Sequence, residues 1–516
     1  MNNMSNQNVQ YAWKYHDGTK HSYQSVRTDP HFLDWANQPR LFKVYPSLEP
    51  ILLPKDIAQT GRPAFSVIGL AQPDTTTDAP VRAEDLASVL HYSAGLTRRR
   101  AYSGGEIQFR AAACTGALYS VELYAVCGDL KDLDAGVYIF NPADSALRRL
   151  RAGDYRGCLV RAAAGEASVR HAPVTLVCTG TYWRNAWKYQ ARTYRHFGWD
   201  NGTILANLLA IAAGRNLPAK VLNGFVDSEV NHLLGLDTDR EVALNLVPLG
   251  RSPAPAAEFT GKVPSLSLEI LPYSRREVDY PAMREMHAAS SLANPEEVAE
   301  WRKPTLASPA PQPPDGVIPL QPVGEDELPK DTIEQVILRR GSSRQFARES
   351  ISFAQFSTAL FHATQGVPAD FVNPPGSQIN YLYVIVHAVE GLEPGSYVLH
   401  RRPWALEQLQ PGNFRGRAGY LGLEQALPAD CSAAIFFLAD LNQILDRFGN
   451  RGYRATQLEA GIIGGRLYLA AYAQRLGATG LTFYDDEVTD FFSPHAVGKS
   501  AIFLVALGKT GKASWL

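Results

Sequence analysis

The chain has 516 residues and a mass of 56.6 kDa, which is long enough for two or more domains. Hydrophobic residues make up 45% of it and charged residues 20%, and this composition excludes a chain that is disordered throughout. The formal net charge of -1 excludes a global basic field of the kind that drives non-specific nucleic-acid binding.

Signals for membranes, disulfides and metals are weak in the sequence. The longest nearly continuous apolar stretch, residues 204–213, is too short to cross a bilayer. Residues 1–10 are polar and lack the apolar segment of a secretory signal. The cysteines are scattered and form no C-x-x-C pair, which favours neither a disulfide framework nor a zinc site. We therefore expect a cytoplasmic protein with no metal, nucleic-acid or membrane partner.

Residues 1–250 predict a mixture of short strands and helices. Strands are predicted at residues 118–126 and 174–179, and a helix that is apolar on most faces, hence buried, over residues 203–217. The small residues of the segment 113–119 (ACTGALY) suit a loop that lies over an aromatic ring. Its Cys114 is either a nucleophile or, since no partner histidine is specified, a small buried side chain.

Residues 251–330 have a different composition and contain 14 of the 34 prolines. Proline fixes φ and lacks a backbone N–H, so we predict a Pro-rich linker that wraps over the two flanking domains. Within it, residues 266–270 alternate like a strand. Residues 294–302 predict a short helix with Asn294 as its N-cap and Pro295 as its first residue.

Residues 331–516 repeat the elements of the first region. A helix is predicted over residues 332–338, a long apolar helix over 457–476, and strands at residues 381–387, 434–438 and 501–507. Helices and strands mix without a regular βαβ alternation, which favours an α+β fold.

Six short matches link the two regions in the same order, at an offset of about 258–271 residues. One of them pairs residues 226–230 (VDSEV) with 484–488 (YDDEV). Each match is weak alone, but together they indicate a duplication. We therefore predict two similar domains, 1–250 and 331–516, whose long apolar helices pack together in an intramolecular pseudo-dimer.

A basic cluster lies in residues 339–346 (RRGSSRQF). It brings two guanidinium groups and a hydroxyl together at Arg340, Ser342 and Arg344, and a phosphate dianion is bound by such a set of donors. The alternative interpretation is the solvated basic end of a helix, because the C-terminal helix dipole also favours cations.

A Gly-rich segment, residues 476–483 (LGATGLTF), follows the second long helix. Its glycines allow the backbone to approach a flat ligand, and the N–H groups of Thr479 and Gly480 are candidate donors to it. The alternative is an ordinary turn in which Gly477 ends the helix.

Together these motifs resemble the FMN-dependent nitroreductase family, in particular its SagB-type dehydrogenase branch. Residues 340–346 match the family's R-R-S-x-R-x-F element, with Gly341 in place of the second arginine. Residues 113–124 (ACTGALYSVELY) match the branch's P-S-A-G-A-L-Y-P-L-E-L-Y element, with Cys114 and Thr115 in place of Ser and Ala. The resemblance covers both duplicated regions and omits the linker.

The resemblance implies two domains with a central antiparallel-type sheet flanked by helices, and FMN bound between them. The Arg/Ser element of one copy would hold the phosphate, and the loop of the other copy would cover the flavin. In the first copy the Arg/Ser element is only weakly matched, at residues 15–21, and in the second the covering loop is reduced to residues 373–377. We therefore predict one FMN site, built from Arg340, Gly341, Ser342, Arg344, Thr479, Gly480, Leu481, Cys114, Thr115 and Gly116, with Lys509 adding charge.

The resemblance also implies an FMN-dependent oxidoreductase with a ping-pong cycle. NAD(P)H, or an oxidisable substrate, would reduce the flavin, and an acceptor would then reoxidise it; the substrate would be a small molecule or a peptide. No G-x-G-x-x-G follows a strand, so a nicotinamide would bind only transiently in the substrate pocket. Two alternatives stay open: a SagB-type peptide azoline dehydrogenase in a biosynthetic complex, and a non-catalytic flavin-binding or scaffold protein. The sequence specifies no catalytic acid or base.

Overall fold

The computed structural model describes residues 5–28, 31–54, 57–69, 77–102, 105–303, 314–374 and 377–511. No helix in these ranges is long and apolar enough to cross a membrane. The same ranges contain no group of three or more His, Cys, Asp or Glu side chains arranged to hold a metal ion.

The first half of the chain alternates helices with short strands. Its elements are α1 (Gln10–Gly18), α2 (Tyr23–Thr28), β1 (Pro50–Leu52), α3 (Ala83–Ala94), β2 (Leu96–Tyr102), β3 (Gly105–Arg110), β4 (Val121–Cys127), β5 (Gly136–Asn141), β6 (Ala146–Ala152), α4 (Arg156–Ala162), α5 (Ala167–Arg170), β7 (Val174–Thr181), α6 (Tyr182–Tyr189), α7 (Thr193–Gly214), α8 (Asp227–Leu234) and β8 (Glu241–Leu249).

The second half repeats this order after two further helices. Its elements are α9 (Pro281–Ala289), α10 (Pro295–Trp301), β9 (Ile318–Pro319), α11 (Ile333–Arg339), α12 (Phe353–Ala363), β10 (Asn380–Val386), β11 (Gly395–His400), β12 (Ala405–Pro411), α13 (Arg415–Leu421), α14 (Ala426–Asp430), β13 (Ala433–Ala439), α15 (Leu441–Phe448), α16 (Asn450–Ala473), β14 (Gly477–Leu481), α17 (Asp485–Phe491) and β15 (Ser500–Gly508).

Each half builds one antiparallel sheet, and β5-β4-β7-β8 of the first corresponds to β11-β10-β13-β15 of the second. The strand order is β1-β6-β5-β4-β7-β8 in the first sheet and β14-β15-β13-β10-β11-β12-β9 in the second. The central strands β4 and β13 are buried along their whole length, because helices cover both faces. The predicted α+β fold with two antiparallel sheets is therefore confirmed.

The long helices α7 and α16 cross at the centre of the molecule with their backbones in close contact. A Cβ on Gly202 would lie 2.3 Å from the carbonyl carbon of Gly461, and a Cβ on Gly465 would lie 2.6 Å from the Cβ of Ala206. Glycine at these positions permits the close packing. The predicted pairing of the two apolar helices is confirmed, and the two halves fit an intramolecular pseudo-dimer.

Buried ion pairs join the halves reciprocally. Asp485 of the second half accepts hydrogen bonds from Arg192 (2.9 Å) and Arg195 (2.6 Å) of the first. These guanidinium groups hold the pKa of Asp485 below its usual range despite its burial. The same arrangement, with the halves exchanged, is made by Asp227, Arg451 and Arg454. Breaking a buried pair leaves an uncompensated charge, so these groups fix the register of the two halves.

The N-terminal arms of the two halves occupy equivalent places. In α1 the His16 Nδ1 atom lies 3.2 Å from the hydroxyl of Tyr453, and in α9 the His287 Nδ1 atom lies 3.1 Å from the hydroxyl of Tyr194. Likewise β1 pairs with β6, and β9 with β12. Part of the predicted linker therefore does in the second half what the N-terminal arm does in the first.

Three local predictions in and after the linker have different outcomes. The helix predicted over 294–302 is confirmed as α10, where the Asn294 side chain accepts from the Glu297 N–H. The strand predicted at 266–270 is wrong, because that segment packs apolar side chains on the core without a ladder partner. The Gly-rich segment 476–483, for which an ordinary turn was the alternative interpretation, includes strand β14, paired with β15. Most of the Pro-rich stretch 309–314 lies outside the described residues.

Candidate functional site

One side of the interface between the halves brings the basic cluster against the predicted covering loop. The Arg340 side chain, at the end of α11, donates to the backbone oxygens of Ala111 (2.9 Å) and Arg110 (3.2 Å) in the other half. These carbonyls lie just before residues 113–116, which we call the covering loop. Because two of its N–H groups are used in this way, Arg340 acts as a clamp between the halves.

The covering loop is anchored from α7 by Asp200 and Thr203, which lie on one face of the helix. One Asp200 oxygen accepts from the Thr115 N–H (2.7 Å) and hydroxyl (2.6 Å), and the other accepts from the Cys114 thiol (3.1 Å). The Thr203 hydroxyl donates to the Ala113 carbonyl (2.6 Å). The loop is therefore fixed by four hydrogen bonds.

The chemistry of Cys114 follows from this anchoring. Burial and the neighbouring Asp200 raise the pKa of the Cys114 thiol well above its usual value, so it stays protonated. Burial also raises the pKa of Asp200 to about 6, although the hydrogen bonds from Thr115 and Cys114 oppose the shift. A protonated thiol is a poor nucleophile, which favours the structural interpretation of Cys114.

The C-terminal end of α6 lies beside the covering loop. Gly116 is exposed with a φ of +62°, and a Cβ there would lie 2.9 Å from the hydroxyl of Tyr189. Lys188 is the residue before Tyr189. Its pKa is lowered first by burial and then by the charge of Arg344. Lys188 therefore lies next to a residue that packs on the covering loop, and we call Lys188 and Arg344, the cation whose charge acts on it, the basic pair.

The basic pair has no acidic partner in the part of the chain that the structure describes. No carboxylate there lies within ion-pair distance of the half-buried Lys188 or the exposed Arg344, although most other buried or half-buried cations have one. Ser342, between Arg340 and Arg344, lies 3.3 Å from the Tyr468 hydroxyl. This region is therefore electropositive and suited to an anion.

Most of the other predicted site residues are buried or already have a partner within the protein. Gly480 in β14 donates its N–H to the Tyr468 hydroxyl (2.5 Å), so it is not free for a ligand as predicted, and the neighbouring Thr479 is buried. Leu481 is partly exposed at the end of the strand. Lys509 pairs with Glu349 at 3.2 Å, which neutralises its charge. A Cβ on Gly341 would only touch the Tyr472 hydroxyl at 3.4 Å.

The equivalent position on the other side of the interface is filled by the chain itself. The segment after α7 corresponds to β14, which follows α16 and pairs with β15. Its residues Ala219 and Leu222 form single antiparallel bridges to β8. Here, however, the Val221 N–H donates to the Pro368 carbonyl (2.8 Å) and the Asp370 N–H to the Val221 carbonyl (3.0 Å). Residues 368–370 thus form an inserted segment, which we call the plug.

The carboxylate of the plug occupies backbone donors. Asp370 accepts from the N–H groups of Asn223 and Gly224, both at 2.8 Å, and from the Arg302 side chain at 3.1 Å. The negative charge is buried and compensated. This side of the interface, the closed side, is therefore a structural contact, whereas the side with the covering loop and basic pair is the open side.

The predicted counterpart of the Arg/Ser element at residues 15–21 is wrong. Those residues lie in and after the end of α1, where Tyr15 and His16 pack against Tyr453. By element order the counterpart precedes α3, because Arg340 and Arg344 precede α12. Residues 70–76 of that stretch lie outside the described residues.

Sequence reasoning missed Asp200, Lys188 and Tyr468 on the open side and Asp370 on the closed side. One signal was present: Asp200 is a charged residue inside the buried helix α7, and a buried charge needs partners. The others are set by long-range packing and carry no local pattern.

Comparison with known proteins identifies the family. The model of the nitroreductase family matches residues 76–251 and 337–508 of this chain, more than half of its length and once in each half. The chain belongs to the nitroreductase family. The duplication and the family resemblance predicted from the sequence are confirmed, and the SagB-type branch stays a prediction.

Two nitroreductase-family relatives illustrate the match. A Methanocaldococcus jannaschii protein named as a nitroreductase is 25% identical over 173 residues, which cover 34% of this chain and 82% of that protein. A crystal structure named as a nitroreductase of Anabaena variabilis is 25% identical with a TM-score of 0.75, and the similarity covers 97% of this chain and 99% of that one. The tandem arrangement therefore also occurs in that solved chain.

Proposed function

We propose that the protein is an FMN-dependent oxidoreductase whose single flavin site lies on the open side of the interface. Membership of the nitroreductase family indicates oxidoreductase activity. The observation that carries the location is the basic pair: neither Lys188 nor Arg344 has a carboxylate partner in the described chain, and Lys188 adjoins Tyr189, which packs on Gly116 of the covering loop.

The residues of the open side fit FMN. A phosphate dianion relieves the repulsion between Lys188 and Arg344 and takes hydrogen bonds from Arg344 and from the Ser342 hydroxyl. The exposed Gly116 has no side chain to separate the loop backbone from a flat ring. FMN, when bound, supplies the hydride chemistry.

The remaining side chains of the open side act by positioning. Asp200 holds the backbone of Thr115 and the thiol of Cys114 and so fixes the position of the covering loop. Arg340 ties that loop to the basic cluster across the interface. NAD(P)H and a small-molecule or peptide acceptor use the same exposed face in turn, in a ping-pong cycle.

The visible spectrum of the purified full-length chain tests this proposal. A flavin band that bleaches under anaerobic conditions with a nicotinamide supports a reductase. A flavin band that bleaches with neither nicotinamide supports the SagB-type dehydrogenase, and a protein that binds no flavin contradicts the proposal.

Variants of the basic pair test the location. Arg344→Ala and Lys188→Ala should each weaken FMN binding about tenfold, the effect of losing one charge-assisted contact. Arg417→Ala, an exposed arginine of α13, is the matched control and should leave binding unchanged. Unaltered FMN binding in both basic-pair variants would place the flavin elsewhere.

A further inference from the structure

The closed side contains a buried arginine whose charge no side chain balances in the part of the chain that the structure describes. Arg466 of α16 is 3% exposed, and its Nη1 atom donates to the Gly366 carbonyl at 2.6 Å. Among the described residues no carboxylate lies within ion-pair distance of it, whereas Arg451 and Arg454 of the same helix both pair with Asp227. A buried charge without such a partner is strongly unfavourable.

The acid of the same helix is already engaged. Glu459 accepts from the N–H of Asn380 at 2.8 Å and faces the guanidinium of Arg401 at 3.5 Å. Burial, and then the charge of Arg401, lower the pKa of Arg466 to about 10, and Glu459 opposes this shift only in part. Arg466 therefore keeps its positive charge at neutral pH and shares the nearest negative charge with a second guanidinium.

Arg466 lines a small cavity between the long helices and the plug. The cavity has a volume of about 20 Å³, and Arg466 is the one charged residue among those that line it. The rest of the wall is apolar, with Ala206 and Leu209 from α7, Val67, and Pro368 of the plug. A cavity needs about 10–15 Å³ to hold a water molecule, so this one has room for a single monatomic ion and excludes a phosphate group.

The equivalent position in the other long helix carries no charge. Glu459 of α16 corresponds to Asp200 of α7, so Arg466 corresponds to Asn207. The Asn207 side chain donates to the Tyr92 carbonyl at 3.0 Å, much as Arg466 donates to a backbone carbonyl of its own half. The two residues therefore make the same kind of contact, but only the one on the closed side brings a charge that this contact does not balance.

We propose that Arg466 binds a chloride ion in this cavity and that the ion stabilises the closed side. A monatomic anion supplies the opposite charge that the described residues do not. The N–H groups of Arg466 that do not donate to Gly366 are its donors. The ion is a structural counterion, so the inference does not depend on the proposed flavin site.

Urea unfolding of the full-length protein at different chloride concentrations tests the assignment. Chloride replaces gluconate, an anion too large for the cavity, at constant ionic strength, so that general screening stays the same. The protein is saturated with FMN throughout. The variants are Arg466→Met, which keeps a long side chain without the charge, and two controls: Arg417→Ala on the surface, and Arg344→Ala, which removes a cation of the basic pair.

For a Kd of about 10 mM, about 0.3 M chloride should lower the unfolding equilibrium constant of the wild type about thirtyfold. Arg466→Met should lose this dependence on chloride, and Arg417→Ala and Arg344→Ala should retain it. A wild type that does not respond to chloride, or a response that survives Arg466→Met, would overturn the assignment. A response lost only in Arg344→Ala would place the chloride in the proposed phosphate site and would also overturn it.

A measurement on the wild type alone covers the case in which Arg466→Met does not fold. Bromide replaces chloride in anion sites and scatters anomalously, so a crystal soaked in bromide should show an anomalous peak beside the Arg466 guanidinium. No peak at this position would contradict the proposal. A chain that binds no flavin contradicts the proposed function instead and leaves both chloride tests intact.

Discussion

The two sides of the pseudo-dimer interface arise from equivalent elements but use their carboxylates differently. On the open side Asp200 points into its own half and holds the covering loop, which leaves the basic pair without an acidic partner. On the closed side Asp370 reaches across the interface, occupies two backbone N–H groups and pairs with Arg302. A duplicated chain can change one side without changing the other, which a symmetric homodimer cannot do.

The equivalent acids of the two long helices show the same divergence. Glu459 occupies in α16 the place of Asp200 in α7, and it accepts from the N–H of Asn380 at 2.8 Å. Glu459 also faces the guanidinium of Arg401 at 3.5 Å, whereas Asp200 accepts only from neutral donors. A buried carboxylate without a cation has a raised pKa, and Asp200 shows this.

The largest expected effect comes from forcing apart the long helices α7 and α16, which join the two halves. In Gly202→Ala the new Cβ would lie 2.3 Å from the Gly461 backbone, so α7 and α16 must move apart. We expect a loss of more than about 5 kcal/mol of unfolding free energy, measured by urea denaturation, because the clash is with backbone atoms that no side-chain rotation can relieve. Gly416→Ala, in α13 with open space around the new Cβ, is the matched control and should be neutral or slightly stabilising. Equal midpoints for the two variants would contradict the close helix crossing.

Removing the plug carboxylate tests the closed side. Asp370→Ala leaves Arg302 and two backbone N–H groups without their acceptor, so we expect a loss of about 3–5 kcal/mol of unfolding free energy and an unchanged FMN content. Asp144→Ala, at a partly exposed surface pair with Arg148, is the control and should cost about 1 kcal/mol or less. A variant that gains a second bound flavin would show that the closed side is a masked ligand site rather than a structural contact.

The smallest of the three effects depends on pH and tests Asp200. Because its folded-state pKa of about 6 is above the unfolded value of 3.8, the native state binds the extra proton and loses stability as pH rises from 4 to 6. Two pKa units correspond to a maximum of about 3 kcal/mol. Asp200→Asn should therefore gain stability relative to the wild type between pH 4 and pH 7, as measured by urea midpoints. A constant difference across this range would show that Asp200 titrates normally.

The helices and strands that could be predicted are those whose residue types repeat with a helical or strand period. The apolar helices and the β-branched strands were recognisable because burial selects residue types at a helical or strand period. Strand β14 was missed because its glycines mimic a turn, and its pairing with β15 is long-range. The equivalence of α1 and α9 was missed because they share little sequence beyond His16 and His287.

The site was predictable only in part for the same reason. The Arg/Ser element and the covering loop are contiguous motifs that could be named from the sequence, and Arg340 does reach the residues just before the loop; that they hold FMN stays a prediction. Asp200 is 85 residues from Thr115, and Asp370 is 147 residues from Asn223. Such contacts exist only once the two halves have packed, and no short window of sequence encodes them.

The number of flavins bound per chain tests the central claim most directly. The purified protein is saturated with FMN, freed of excess ligand and denatured, and the released flavin is measured against the chain concentration. An open side that binds and a closed side that is plugged predict one FMN per chain. A ratio near two, or near zero, would contradict this division of the interface.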